Sequence, residues 1–172
     1  MRLGLFMMPL HPPGRVHAET YEEDLELVSL ADRLGYSEIW VGEHFLLPWE
    51  NMPAPELFIA RALGETEQIV FGTGVVLLHL HDPIMVAHRI AMVDHLARGR
   101  FMFGIGSGGS PSDIEMFGID GEADVMRDRM MEGIDLILRL WEEGPFEYRG
   151  RFYNIRRPED RPEMELGFHM RP

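Results

Sequence analysis

The stretch FMFGIGSGG, residues 101–109, decides how this chain is read. A short apolar run with the look of a strand leads into Gly104, Gly106 and Gly109, which fit the G-x-G-x-x-G spacing of a dinucleotide fingerprint. In a nicotinamide-binding fold that fingerprint occupies the first strand-to-helix turn, and its helix begins at once. Here three strand-like runs come first, and Ser110, Pro111, Ser112, Asp113 and the segment IEMFGIDGE separate the glycines from the next long amphipathic helix. A pyrophosphate would therefore not meet that helix's N-terminus. Two other uses of glycine stay open: turning the chain at a strand end, and letting the backbone approach a bound ligand closely.

Working outward, the chain repeats a strand and a helix. The apolar run from Leu3 to Leu10 reads as a buried strand closed by His11-Pro12-Pro13-Gly14. A helix follows, with Thr20 and Glu23 as a capping box, Leu25, Val28 and Ala31 at helical spacing, and Gly35 as its stop. EIWVGEHF, residues 38–45, supplies the second strand, and a helix starts near Pro55. The third strand runs through IVFGTGVVLL from Ile69 to His79-Leu80-His81, after which Asp82 caps a helix whose first residue is Pro83 and whose stop is Gly99. Strand starts at Leu3, Glu38, Ile69 and Phe101 recur at steps of 35, 31 and 32 residues. A long amphipathic helix carrying Met126, Met130, Ile134, Ile137 and Trp141 ends at Gly144-Pro145, and FEYRGRFYNI reads as a hairpin around Arg149-Gly150. Four parallel strands with crossover helices fit either an open doubly wound sheet or the first half of an eight-stranded β/α barrel. The tail RPEDRPEMELGFHMRP has no packing period and stops where a fifth strand is expected, so a single domain over 1–172 that is an incomplete barrel is the expectation.

Composition narrows the function classes. With 16 basic and 29 acidic side chains the formal charge is −13, which disfavours nucleic acid and anionic lipid as partners. No run approaches the length of a membrane span and the N-terminus lacks a signal-peptide pattern, so a cytoplasmic protein is expected. The absence of cysteine removes disulfides, thiolate nucleophiles and Cys-ligated metals. The 13 methionines read as core filler.

The candidate functional residues gather at strand ends, the face where ligands collect in β/α sheets. Glu43-His44 closes the second strand, and an imidazole with an ordinary pKa near 6.5 suits proton transfer at neutral pH. His11 closes the first strand and points to the same face. His79 and His81, two apart on an extended chain, could share a face and meet one metal, as in metal-dependent hydrolases; a polar junction beside a pocket is the competing reading. The carboxylates in YEEDLE (21–26) and WEEG (141–144) read as solvated helix faces.

Three segments taken together resemble the luciferase-like, flavin-dependent monooxygenases, the family of bacterial luciferase and of limonene monooxygenase-type enzymes: LADRLGYSEIWVGEHF (30–45), FGTGVVLLHLHDPIMVAHRIAMVDHLARGRFMFGIGSGG (71–109) and GPFEYRGRFYNI (144–155). The resemblance implies the N-terminal half of a TIM (β/α)8 barrel, with the glycine loop at the end of barrel strand four beside flavin mononucleotide or a related deazaflavin. It implies His44 and Glu43 as catalytic residues, and Gly74, Val75, Gly106, Ser107 and Gly108 around the cofactor, with a cis non-proline peptide near Gly74 and Val75. It places His11 and His79 at the substrate pocket, and calls for no metal. The implied partners are a flavin reductase supplying reduced FMN, oxygen, and a small organic substrate that receives one oxygen atom. Family barrels have eight strands, so this chain alone is expected to bind flavin poorly and turn over slowly. Two copies closing edge to edge as a homo-oligomer, or a non-catalytic flavin-binding half-barrel, are the expected alternatives.

Overall fold

In a computed structural model of the chain, residues 1–119, 121–164, 167, 171 and 172 are described. Much of the tail expected to lack a packing period lies outside them.

Four strands form a parallel sheet: β1 (Gly4–Met7), β2 (Glu38–Val41), β3 (Val70–Thr73) and, beyond the short β4 (Val76–Leu77), β5 (Phe101–Met102). Their order is sequential, β1-β2-β3-β5, with Leu5, Ile39 and Phe71 in one cross-strand row, and Phe101 beside Phe71. Intervening helices α1 (His17–Arg33), α2 (Pro55–Ala62) and α3 (Pro83–Ala97) supply the crossovers. Val76 and Leu77 of β4 pair in parallel with β6 (Ile105–Gly106), extending the third and fourth sheet strands beyond the main ladder.

Side chains alternate across a strand, and the two faces have different fates. Ile39, Val41 and Phe71 pack against Val28 of α1, Ile59 of α2 and Val93 of α3. Full burial of a side chain such as Ile39 or Phe71 contributes about 1.5–3 kcal/mol. The opposite face carries Phe6, Trp40 and Gly72 in one row and has no helix on it among the described residues; Phe6 is 62% exposed. The Trp40 ring lies where a Cβ on Gly72 would stand, so the missing side chain makes room for the indole. Sequential order with helices on one face is barrel geometry; a doubly wound sheet reverses its order and carries helices on both faces. The structure thus resolves the two folds left open by the strand-helix rhythm in favour of a partial barrel.

A second core joins α3 to α5 (Ala123–Glu142) through Val86, Ile90, Ile137 and Leu140 around Leu78. The hairpin of β7 (Phe146–Arg149) and β8 (Asn154–Arg157) closes through Gly150, whose N–H donates to the Tyr153 carbonyl at 2.9 Å.

Several local expectations are met. Asp82 accepts from the Met85 N–H at 3.0 Å with Pro83 as the first residue of α3, while Gly35 and Gly99 adopt positive φ of 79° and 87° past their helices. Others are corrected. The first helix begins at His17, so Thr20 lies inside its first turn and donates to the His17 carbonyl instead of capping. The second strand ends at Val41, leaving residues 42–45 as the rim. The third strand is not continuous: it breaks at the cis Gly74–Val75 peptide, with β3 before it and β4 after. A short helix unseen in the sequence, α4 (Pro111–Met116), follows the glycine turn at once, capped by the Ser110 hydroxyl on Asp113 N–H at 3.1 Å.

Candidate active site at the strand-end rim

Because the four strands are parallel, residues that follow them gather at one end of the sheet. His11, Glu43, His44, Gly74–Val75 and the turn 104–109 all lie past their strands' C-terminal ends.

Glu43 is 3% exposed and fully committed. Its Oε2 accepts from the Leu77 N–H at 2.6 Å and its Oε1 faces His81 Nε2 at 2.9 Å. With Nε2 donating, Nδ1 of His81 accepts from Arg89 Nη2 at 3.5 Å, and Arg89 reaches the buried Glu56 at 3.1 Å. This chain of polar contacts, with the neutral His81 ring and the Arg89 cation between Glu43 and Glu56, compensates two carboxylates that burial alone would penalise. It ties the rim of β2 to β4 and to α2 and α3.

His44 points elsewhere. Its Nε2 meets Glu50 Oε2 at 3.0 Å, its side chain is 20% exposed, and its buried Nδ1 has no hydrogen-bond partner among the described residues. The backbone N–H of His44 donates to the Met52 carbonyl at 3.0 Å, closing the loop that carries Glu50 back onto the strand end.

The glycine turn is held from two sides. The Thr73 hydroxyl donates to the Gly104 carbonyl at 2.7 Å and accepts from the Gly104 N–H at 2.9 Å. A Cβ on Gly106 would stand 2.7 Å from Val75 Cγ2, so the turn lies directly against the residue after the cis peptide. Ser107 is half-buried and Gly108 exposed, with open space where a Cβ on Gly108 would project. Asp113, fully buried on α4, accepts from the Leu46 N–H at 2.9 Å through Oδ1, which couples the turn to the His44 loop.

His11 and His79 lie at the rim with buried rings of different kinds: His11 is hydrogen-bonded on both ring nitrogens, whereas both ring nitrogens of His79 have no hydrogen-bond partner among the described residues. His11 is 5% exposed, with Nδ1 on Asn51 Oδ1 at 2.7 Å and Nε2 on Asp24 Oδ2 at 3.0 Å. Asp24 is thereby drawn out of the solvated face that YEEDLE suggested: burial raises its pKa, an effect the His11 contact opposes. His79 is fully buried; burial lowers its pKa, and the Gly106 backbone only partly offsets this. His79 and His81 do not sit on an extended strand as the H-x-H spacing suggested. Leu78–Leu80 form a 3-10 turn, and His81 is engaged by Glu43. Among the described residues no group of three metal-ligating side chains converges.

The sequence reading missed Glu50, Asn51 and Asp113 as rim residues, and singled out His81 without its partner Glu43. Ser110 and Asp113 carry the S-x-x-D capping signal and were findable; Glu50 and Asn51 have no local signature.

The chain matches the luciferase-like monooxygenase family over residues 1–171, with the glycine turn and the Gly74–Val75 break inside the matched span. The chain belongs to this family. Among curated relatives, the 4-hydroxyprotoasukamycin monooxygenase of Streptomyces nodosus subsp. asukaensis is 48% identical over 80% of this chain and 36% of its own length. The limonene 1,2-monooxygenase of Rhodococcus erythropolis is 42% identical over 80% and 35%. Among solved structures, the oxygenating constituent of the Pseudomonas putida 3,6-diketocamphane monooxygenase, in complex with FMN, superposes with a TM-score of 0.88 at 30% identity, covering 93% of this chain and 44% of that one. This luciferase-like chain therefore spans less than half the length of these relatives. No helix among the described residues is long and apolar enough to cross a membrane.

Proposed function

We propose that the chain forms the rim of a flavin-dependent monooxygenase that uses reduced FMN and oxygen to oxygenate a small organic substrate, the reduced flavin coming from a separate reductase. The observation that carries this reading is the His44–Glu50 pair at 3.0 Å, standing at the same sheet end as a glycine-lined bed of Gly74, Gly104 and Gly106. The relative that carries FMN is named as an oxygenating constituent, which supports a partner that supplies the reducing equivalents.

The residues fit a flavin. A Cβ on Gly74 would stand 3.0 Å from Phe6 Cε2 and 3.2 Å from Trp40 Cβ, so the absence of a side chain lets these two aromatic residues close on the strand break, where they offer an apolar wall to a flat ring. Gly74 and Val75 would line the ring, and Gly106, Ser107 and Gly108 would approach its polar tail. When bound, the reduced flavin supplies the electrons that activate oxygen.

The chain's own residues do the rest. His44, with Nε2 oriented by Glu50 and Nδ1 left unpartnered, holds or delivers a proton at the strand end. Glu43, bound on both oxygens, braces the rim; it shapes the site through Leu77 and His81. Phe6 and Trp40 exclude water from the inner face once it is covered. A second reading, a non-catalytic flavin-binding half-barrel that pairs with a second copy, is favoured by the bare inner face around the exposed Phe6.

The test is to titrate the chain with FMN and with a deazaflavin while following flavin fluorescence, then to add reductase, oxygen and substrate. Substrate-dependent oxygen consumption abolished in His44→Ala supports the oxygenase. Flavin binding without turnover supports the half-barrel, and no spectral change with either cofactor rejects both.

A further inference from the structure

The loop 45–51 carries Glu50, the only hydrogen-bond partner of the His44 ring among the described residues, and its own position depends on a side chain that reaches it from outside the loop. Asn51 accepts from His11 Nδ1 at 2.7 Å through its Oδ1, while its Nδ2 lies 3.0 Å from His17 Nδ1. The amide orientation follows from this pair of contacts, since Nδ2 can only donate. With Nδ1 donating to Asn51, Nε2 of His11 faces Asp24 Oδ2 at 3.0 Å, so one ring joins α1 to the loop. The backbone adds parallel links: His11 N–H donates to the Trp49 carbonyl at 2.7 Å, Leu10 bridges Glu50, and the Tyr21 hydroxyl donates to the Asn51 carbonyl. Glu50 is thus flanked on both sides by residues that His11 holds.

We infer that His11 is a positioning residue: the Asp24–His11–Asn51 tether holds loop 45–51 so that Glu50 orients the His44 ring. The inference rests on the proposed role of His44, and it replaces direct substrate contact as the reason for a histidine at this place. Both ring nitrogens of His11 are spent within the protein, which leaves it no free polar edge. Because Nδ1 of His44 has no hydrogen-bond partner among the described residues, the Glu50 contact is the polar restraint on the ring there, and play in the loop passes to it.

The experiment reads the tether without cofactor, by ring nitrogen NMR of His44 and by amide hydrogen exchange of His44, Leu46 and Glu50. His11→Phe keeps the edge-on contact with Tyr21, whose ring centroid lies 6.0 Å away, and removes both hydrogen bonds. The expected result is exchange of these amides faster by about tenfold or more, with displaced His44 ring resonances. Asp24→Asn alone, whose amide can still donate to Nε2, is expected to leave both readouts as in wild type. Unchanged His44 resonances in a folded His11→Phe overturn the inference, as does a loosened loop that leaves His44 unmoved. If His11→Phe does not fold, Asn51→Leu cuts the same link from the loop side, with the same two readings deciding. Failure of the flavin titration would reject the monooxygenase reading and leave these signals intact, so the two failures are distinct.

Discussion

The hydroxyl of Thr73 bonds both polar groups of Gly104, donating to its carbonyl at 2.7 Å and accepting from its N–H at 2.9 Å. Two strands that diverge after Met102 are thereby rejoined by this side chain together with the Val76 N–H, which also donates to the Gly104 carbonyl at 2.9 Å. Thr73→Val keeps the shape and removes both hydroxyl bonds, leaving the Gly104 N–H without its acceptor while the carbonyl keeps Val76. Urea unfolding should show a loss of about 1–3 kcal/mol.

Glycine positions in the turn are not equivalent. A Cβ on Gly104 would overlap the Thr73 carbonyl oxygen, which is backbone and cannot step aside, whereas one on Gly108 meets nothing within 4 Å. Gly104→Ala should therefore cost about 1–3 kcal/mol or more, and Gly108→Ala should leave stability within about 0.5 kcal/mol. Thermal unfolding of the two variants side by side checks the contrast.

Asp32 staples the end of α1 to the start of the third strand. Burial works against its charge, but backbone N–H groups of Glu67, Ile69 and Gln68, at 3.0, 2.8 and 3.1 Å, outweigh it and hold the pKa below the usual 3.8. A lowered carboxylate pKa means the folded state favours the charged form. Its contribution is present above pH 3.8 and is lost as pH falls through the lowered value. Asp32→Ala should destabilise by about 2 kcal/mol at neutral pH, with the gap to wild type closing in acid. Unfolding curves between neutrality and strong acid measure this.

Glu43 is the buried carboxylate whose removal leaves the most unpaired. Glu43→Ala removes the acceptor of the buried Leu77 N–H and the partner of the partly exposed His81 ring, at a cost of about 2–3 kcal/mol. Glu43→Gln retains an acceptor for Leu77 and should cost about half as much. Equal losses in chemical denaturation would show that the paired contacts carry no weight.

If His44 handles a proton, His44→Ala should reduce substrate-dependent oxygen consumption by about 10²–10⁴-fold, the range of general acid–base catalysis. Glu50→Gln leaves the imidazole in place with a neutral partner and should lower the rate by about tenfold, mostly in kcat. A rate in Glu50→Gln equal to wild type would remove Glu50 from the mechanism.

Much of the scaffold was legible because its signals are local. Asp82, Pro83 and Gly99 state the bounds of α3 within a few residues of each other, and the structure agrees. Thr20 and Glu23 gave the same kind of signal and misled, since the turn at His17 admitted helix three residues earlier and left Thr20 to bond back to the His17 carbonyl. The run from Ile69 to Leu78 looked like one strand because apolar content does not report the break at Gly74–Val75. At the site, Glu43, His44 and the glycine turn were visible as strand-end residues. That Glu50 partners His44 and His81 partners Glu43 was not visible, because nothing near them in the chain marks them as partners.

The sequence by itself determined the alternation of strand and helix, where most elements stop, and which residues would stand at strand ends, because capping, turn geometry and side-chain period act over a few residues. Only the tertiary structure decided that the helices share one face of the sheet, that His44 faces Glu50 while Glu43 faces Leu77 and His81, and that His11 is clasped between Asp24 and Asn51, 13 and 40 positions away. Those choices follow from how the strands lie side by side and how the loops fold back over them. A side chain's partner is whichever group the packed chain brings within 3 Å, and that distance is not written in the spacing of the residues.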